Sequence, residues 1–144
     1  MSTENPVAAP VPQGDYRPAL LHDGVVYTAG MTPRRDGQLV LRGVVGDTVS
    51  AQQAHGAAGV AARNALAAAR SVLPDGAAGL RCLRMTVYIA GTASFHDLSA
   101  VADGASAALR AELGEAGVPV RAAIGVQALP SGAPVEVDLI AAVV

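Results

Sequence analysis

The chain has 144 residues and a net charge of −2, the length of one ordinary domain. Hydrophobic residues make up 51% and charged residues 15%, which excludes disorder for most of the chain. All ten basic residues are arginine, so a lysine Schiff base and a P-loop lysine are excluded, and the lack of any long basic run disfavours a nucleic-acid groove.

Only three Tyr and one Phe are aromatic, so the core must come from Ala, Val, Leu and Ile. Small side chains bury less area each, which makes burial against neighbouring subunits an expectation. Cys82 is the sole cysteine, so it can form no internal disulfide and no metal-type pair; it is expected to be a small core residue. No apolar run approaches a membrane span, and the start lacks the charged-then-apolar pattern of a leader. The expected location is cytoplasmic, with no membrane partner.

Residues 1–13 hold three prolines, and the pattern predicts an extended or flexible arm ahead of one domain over 14–144. Val25 to Ala29, β-branched and aromatic between Gly24 and Gly30, predicts a strand. Leu39 to Leu41 predicts a short strand after the Asp36-Gly37 turn. Ser50 and Gln53 make a capping box, and the Ala-rich, proline-free stretch to about Val72 predicts a long helix with a small-residue face. Leu80 to Ala90 alternates, with Leu83, Met85, Val87 and Ile89 on one face of a strand. A second cap at Ser94 to Asp97 opens a helix to about Leu113, stopped by Gly114 and Gly117. Pro119–Ala128 and Val135–Val143 are predicted as a final hairpin around the Pro- and Gly-rich turn at 129–134. This order predicts an α+β fold with both helices on one face of a single sheet. The other face is still apolar in places and is expected to pack against other subunits.

His22, His55 and His96 share no ligand spacing, so no metal site is expected. The predicted hairpin is the informative region, because Arg121 and Glu136 interrupt otherwise apolar strands. Burying such charges costs on the order of several kcal/mol each unless they are paired. One reading is an Arg–Glu pair that satisfies itself, or an edge strand with its charges in water. The other is a lined cleft, in which a guanidinium fork grips a carboxylate and a nearby Glu holds water and moves a proton.

Several segments resemble the RidA/YjgF (reactive intermediate deaminase) family from Tyr16 to Val143. Gly14-Asp-Tyr16-Arg-Pro-Ala is similar to the family's opening segment, and Val26-Tyr-Thr-Ala-Gly30-Met-Thr-Pro33 to its "SGQ-x-P" strand end. Val87-Tyr-Ile-Ala followed by Ser94-Phe95 resembles the strand and "D-F" helix start. Pro119-Val-Arg121-Ala-Ala-Ile-Gly-Val126 is similar to the "P-A-R-S-x-V-x-V" signature. Leu129-Pro130 and Val135-Glu136-Val-Asp138-Leu-Ile-Ala141 are similar to its ending. The Gly114-Glu-Ala-Gly117 run, with a longer entry to the second helix, resembles a divergent bacterial branch rather than the archetype.

The resemblance implies a chorismate-mutase-like α+β domain, a homotrimer with clefts between subunits, and hydrolysis of 2-imino acids and enamines to 2-keto acids and ammonia without metal or organic cofactor. It implies that Arg121 binds the carboxylate of a small-molecule substrate and Glu136 positions water. Tyr16, Ala29, Gly30 and Met31 would line the pocket with Asp103 and Ala123. Met31 stands where the family usually has Gln, Ala29 replaces a frequent Ser, Ala123 a Cys or Ser, and Asp103 the Asn of many deaminases. An ionised Asp103 beside a substrate carboxylate would repel it. Two other readings are a non-catalytic trimer that binds a small carboxylate and an endoribonuclease, which the acidic, lysine-free composition disfavours.

Overall fold

The computed structural model describes residues 7–144. The first six residues of the predicted arm lie outside the described residues; 7–13 form no regular element. A hairpin comes first: β1 (Ala19–His22) pairs antiparallel with β2 (Val25–Thr28). Its turn is Asp23-Gly24, both at positive φ (50° and 76°), the backbone that Asp and Gly tolerate best. A two-residue hairpin, β3 (Arg34–Arg35) and β4 (Gln38–Leu39), closes around Asp36-Gly37, again both at positive φ. The predicted strand at 39–41 is therefore shifted toward this turn.

Helix α1 (Ala51–Arg70) carries the predicted capping box in full: Ser50 Oγ accepts from Gln53 N–H, and Gln53 Oε1 accepts from Ser50 N–H. β5 (Leu80–Ala90) leads through α2 (Leu98–Leu113) to β6 (Val120–Val126), and β7 (Val135–Val143) ends the chain. Asp97 occupies the α2 cap position without a side-chain capping bond, and Gly114 at φ 65° ends the helix. Among the described residues, no helix is long and apolar enough to cross a membrane.

The five-stranded sheet has the order β1-β2-β7-β5-β6. β5 and β6 run parallel across the α2 connection, and the other neighbours are antiparallel. β6 and β7 are therefore not the predicted hairpin: β5 lies between them. The two helices pack on one face, where Met85, Val87, Ile89, Val135, Val137 and Leu139 are buried beneath the alanines of α1 and Val101, Ala105 and Leu109 of α2. Cys82 joins that core, and burial pushes its thiol up to about 11. Leu83 does not, because a register shift between Cys82 and Arg84 leaves it 38% exposed. The opposite face of the sheet carries Leu20, Tyr27, Val120 and Ile124, all exposed.

Candidate functional site

Arg121 is paired with Met85, which is fully buried under the helices, so Arg121 also points to the helix layer. β6 is the edge strand there, and the side chain reaches sideways onto α2. Nη1 donates to Asp103 Oδ1 at 2.8 Å and to Ser106 Oγ at 2.9 Å. Nη2 donates to Ser99 Oγ at 2.8 Å and to the Ser99 carbonyl at 3.4 Å. Ser99, Asp103 and Ser106 are spaced four and three residues apart, which puts them on one helix face. The Arg121 side chain is 19% exposed, whereas that of Asp103 is 63% exposed. The guanidinium's desolvation is thus offset by bonds to α2, one of them to a carboxylate that can turn out to water. Ala123 follows on the same face of β6, half-buried against the core.

Glu136 belongs to a different place. It pairs with Tyr88, three residues from Met85 along β5, so it faces away from the helices. Gly30 lies against it: a Cβ there would come within 2.7 Å of Glu136 Cδ. Met31, next in sequence, exchanges two backbone hydrogen bonds with Val137 and is buried. Tyr16, Gly30 and Met31 line one small cleft, and Gln13 N–H donates to the Tyr16 hydroxyl at 3.1 Å. Ala29 is held by its N–H to the Pro18 carbonyl and packs on the core. Glu136 is pushed above the usual carboxylate range, first by burial and then by the charge of Asp138 two residues on. Asp138 is also raised by burial, although the Tyr88 hydroxyl donates to it at 3.3 Å. Burial and the same carboxylate raise Tyr88.

The residues singled out in the sequence thus do not form one cluster. Arg121, Asp103 and Ala123 sit at the α2 edge of the sheet. Glu136 sits at its other face with Gly30 against it, whereas Met31, opposite Val137, turns to the helix layer and shares its small cleft with Tyr16, Gly30 and Asn64 of α1, and Ala29 packs on the core. A single chain does not bring Arg121 and Glu136 together, because β5 separates their strands and they point to opposite faces. The self-satisfied Arg–Glu pair is excluded for the same reason; the partner of Arg121 is Asp103. Ser99 and Ser106 escaped the sequence reading, although the 99/103/106 spacing was the available signal. Tyr88 and Asp138 also escaped it, although strand alternation already put them on one side with Glu136. Among the described residues no group of three or more His, Cys, Asp or Glu could hold a metal ion. His22 and His96 are exposed; the exposed His55 bonds the Ala100 carbonyl through Nδ1 at 2.9 Å.

Comparison with known proteins places this arrangement in a family. The family model described as Endoribonuclease L-PSP matches residues 6–143. Protein TCP17 of Trypanosoma cruzi is 30% identical over 132 residues, covering 91% of this chain and 82% of that one. The crystal structure of Atu1372 from Agrobacterium tumefaciens, a protein of unknown function, is 32% identical, covers 96% of this chain and 85% of that one, and superposes with a TM-score of 0.83. The YjgF gene product of E. coli shares the fold at 21% identity and a TM-score of 0.64, covering 96% of this chain and 98% of that one. With nearly the whole chain matched by the model, this protein belongs to the endoribonuclease L-PSP family, the group of the YjgF/RidA proteins.

Proposed function

We propose that the protein hydrolyses 2-imino acids and their enamine tautomers to 2-keto acids and ammonia, in a cleft completed by a second copy of the chain. The observation that carries this reading is the seat of Asp103 on Arg121. The fork already holds a carboxylate at 2.8 Å, the same group that a 2-imino acid offers. Substrate displaces Asp103, whose exposed side chain turns to water. The Arg121 fork then fixes the carboxylate and orients the adjacent imine carbon.

Glu136 of another copy, raised by burial, accepts a proton from water as its oxygen adds to that carbon. The same carboxyl returns that proton to the nitrogen, giving the carbinolamine, and then carries the hydroxyl proton to the amine, so that the C–N bond breaks, ammonia leaves and the C=O forms. An imine is already electrophilic, so orientation and one proton relay are enough. The homotrimer supplies the second copy: each chain carries both halves, and the exposed apolar side chains on the open sheet face support burial against a neighbour.

The test is ammonia release from freshly generated 2-iminopropionate and 2-iminobutyrate, with spontaneous hydrolysis subtracted. Acceleration that disappears in Arg121→Ala is the expected result. No acceleration by the parent chain sinks the reading. Salt-dependent RNA cleavage in the same preparations would favour the activity named in the family model instead.

A further inference from the structure

A second cavity, of about 470 Å³, lies beneath residues 7–13, between the β3–β4 hairpin and the outer side of α1. Its size is that of a small-molecule pocket, a few hundred Å³ or more. Three of the ten arginines line it, Arg34, Arg35 and Arg63, against one acidic residue, Asp36. That local excess of positive charge stands out in a chain whose net charge is −2.

Arg34 is locked in place: Nε donates to Thr32 Oγ1 at 3.2 Å, Nη1 to the Gly37 carbonyl at 2.9 Å and Nη2 to Ser131 Oγ at 3.1 Å. Arg63 keeps only a loose ion pair, Nε to Glu112 at 3.6 Å, with its side chain 41% exposed. Arg35 is exposed at the hairpin turn. Asn64, only 5% exposed, ties the hairpin to α1 by donating to the Thr32 and Arg34 carbonyls at 3.1 and 2.9 Å. The rest of the wall is apolar: Val60 on α1, and Pro10 and Val11 from the segment above.

We infer that this cavity is a second ligand site, for a small organic carboxylate with an apolar body. Guanidiniums answer the carboxylate, and Val60, Pro10 and Val11 answer the body. An inorganic oxyanion lacks the second contact, and a neutral isostere lacks the first. The site is separate from Arg121 and does not depend on imine hydrolysis. It does adjoin the cleft of Tyr16, Gly30 and Met31, because Pro10, Val11 and Gln13 wall both.

The probe is benzoate, titrated calorimetrically into the full-length parent and into Arg121→Ala, which removes the other guanidinium cleft. The expected result is saturable binding, one benzoate per chain in Arg121→Ala, with benzamide and inorganic phosphate each weaker by about tenfold or more. Arg35→Met with Arg63→Met should weaken benzoate by a similar factor, and Val60→Phe should block it while leaving every cation in place. The proposal is overturned if Arg121→Ala shows no saturable binding at up to about 10 mM benzoate, or if binding survives both the double Met variant and Val60→Phe. Since all of this is read in Arg121→Ala, its failure is distinguishable from a failure of the deaminase reading.

Discussion

At residue scale, the contact on which the proposed reaction turns is the one between Arg121 and Asp103. Asp103 competes with substrate for the same fork, and when substrate is bound it adds a like charge beside the carboxylate. Its side chain is mostly in water, so screening limits the pair to about 0.5–1 kcal/mol. Asp103→Asn should therefore lower KM for 2-iminopropionate by roughly two- to fivefold, with kcat little changed. Steady-state ammonia release measures both; a rise in KM would mean that Asp103 helps to hold substrate.

Glu136 sets a second expectation at the same scale. The proton relay needs its ionised form, and burial raises its pKa, so kcat should fall as pH drops through a value above the ordinary Glu pKa of about 4.3. Glu136→Gln should abolish both the rate and that acidic limb. For stability the sign is the opposite. A carboxyl raised on folding favours the fold while protonated, fully below its unfolded pKa, and that contribution is lost as pH rises through the folded pKa. Asp138 is raised in the same way, so Asp138→Asn should raise Tm at neutral pH, and the gain should shrink toward pH about 4. A thermal melt series across that range reads it directly.

At the scale of elements, the helix pair makes its own test. A Cβ on Gly104 of α2 would run into the carbonyl oxygen of His55 on α1, and backbone cannot step aside as a side chain can. Gly104→Ala should cost about 3 kcal/mol, the upper end of ordinary overpacking. Gly56, on the exposed side of α1, has nothing within 4 Å of its would-be Cβ, so Gly56→Ala should stabilise by about 0.5–1 kcal/mol. Urea denaturation of the two variants checks the contrast.

The same scale divides what was legible in the sequence from what was not. Local signals were read correctly where they are complete within a few residues: Ser50 with Gln53 for the cap, and Gly114 for the stop. The Asp23-Gly24 turn is equally local, but Gly24 reads equally well as the edge of a strand, so the expected strand at Val25–Ala29 comes without its partner β1. The pairing of β6 with β7 failed for another reason. Two strands joined by a short turn make a hairpin by default, and only the parallel contact of β5 with β6, through α2, prevents it here. Leu83 failed because strict alternation cannot reveal a register shift. The candidate site followed the same division. Arg121 and Glu136 stood out as charges in apolar strands, but which face each one takes is a property of the sheet register.

At the scale of the whole molecule, that register makes assembly part of the proposed chemistry. Arg121 and Glu136 point to opposite faces of one sheet, so on the proposed reading a chain alone holds two unfinished sites. In the closed ring proposed above, each cleft would take Arg121 from one copy and Glu136 from the next. Arg121→Ala and Glu136→Ala homomers should then each be inactive for a different missing half. When the two are unfolded together and refolded in equal amounts, subunits assort at random. A cleft is intact only when a Glu136→Ala chain supplies its arginine and an Arg121→Ala chain supplies its glutamate. Each choice has a probability of about one half, so the mixture should recover about one quarter of the parent rate, whatever the size of the ring. Mixing without refolding should recover less, to the extent that subunits exchange slowly. A refolded mixture no more active than its parents, with mixed oligomers confirmed by native mass spectrometry, would place the chemistry within one chain and remove the two-copy cleft.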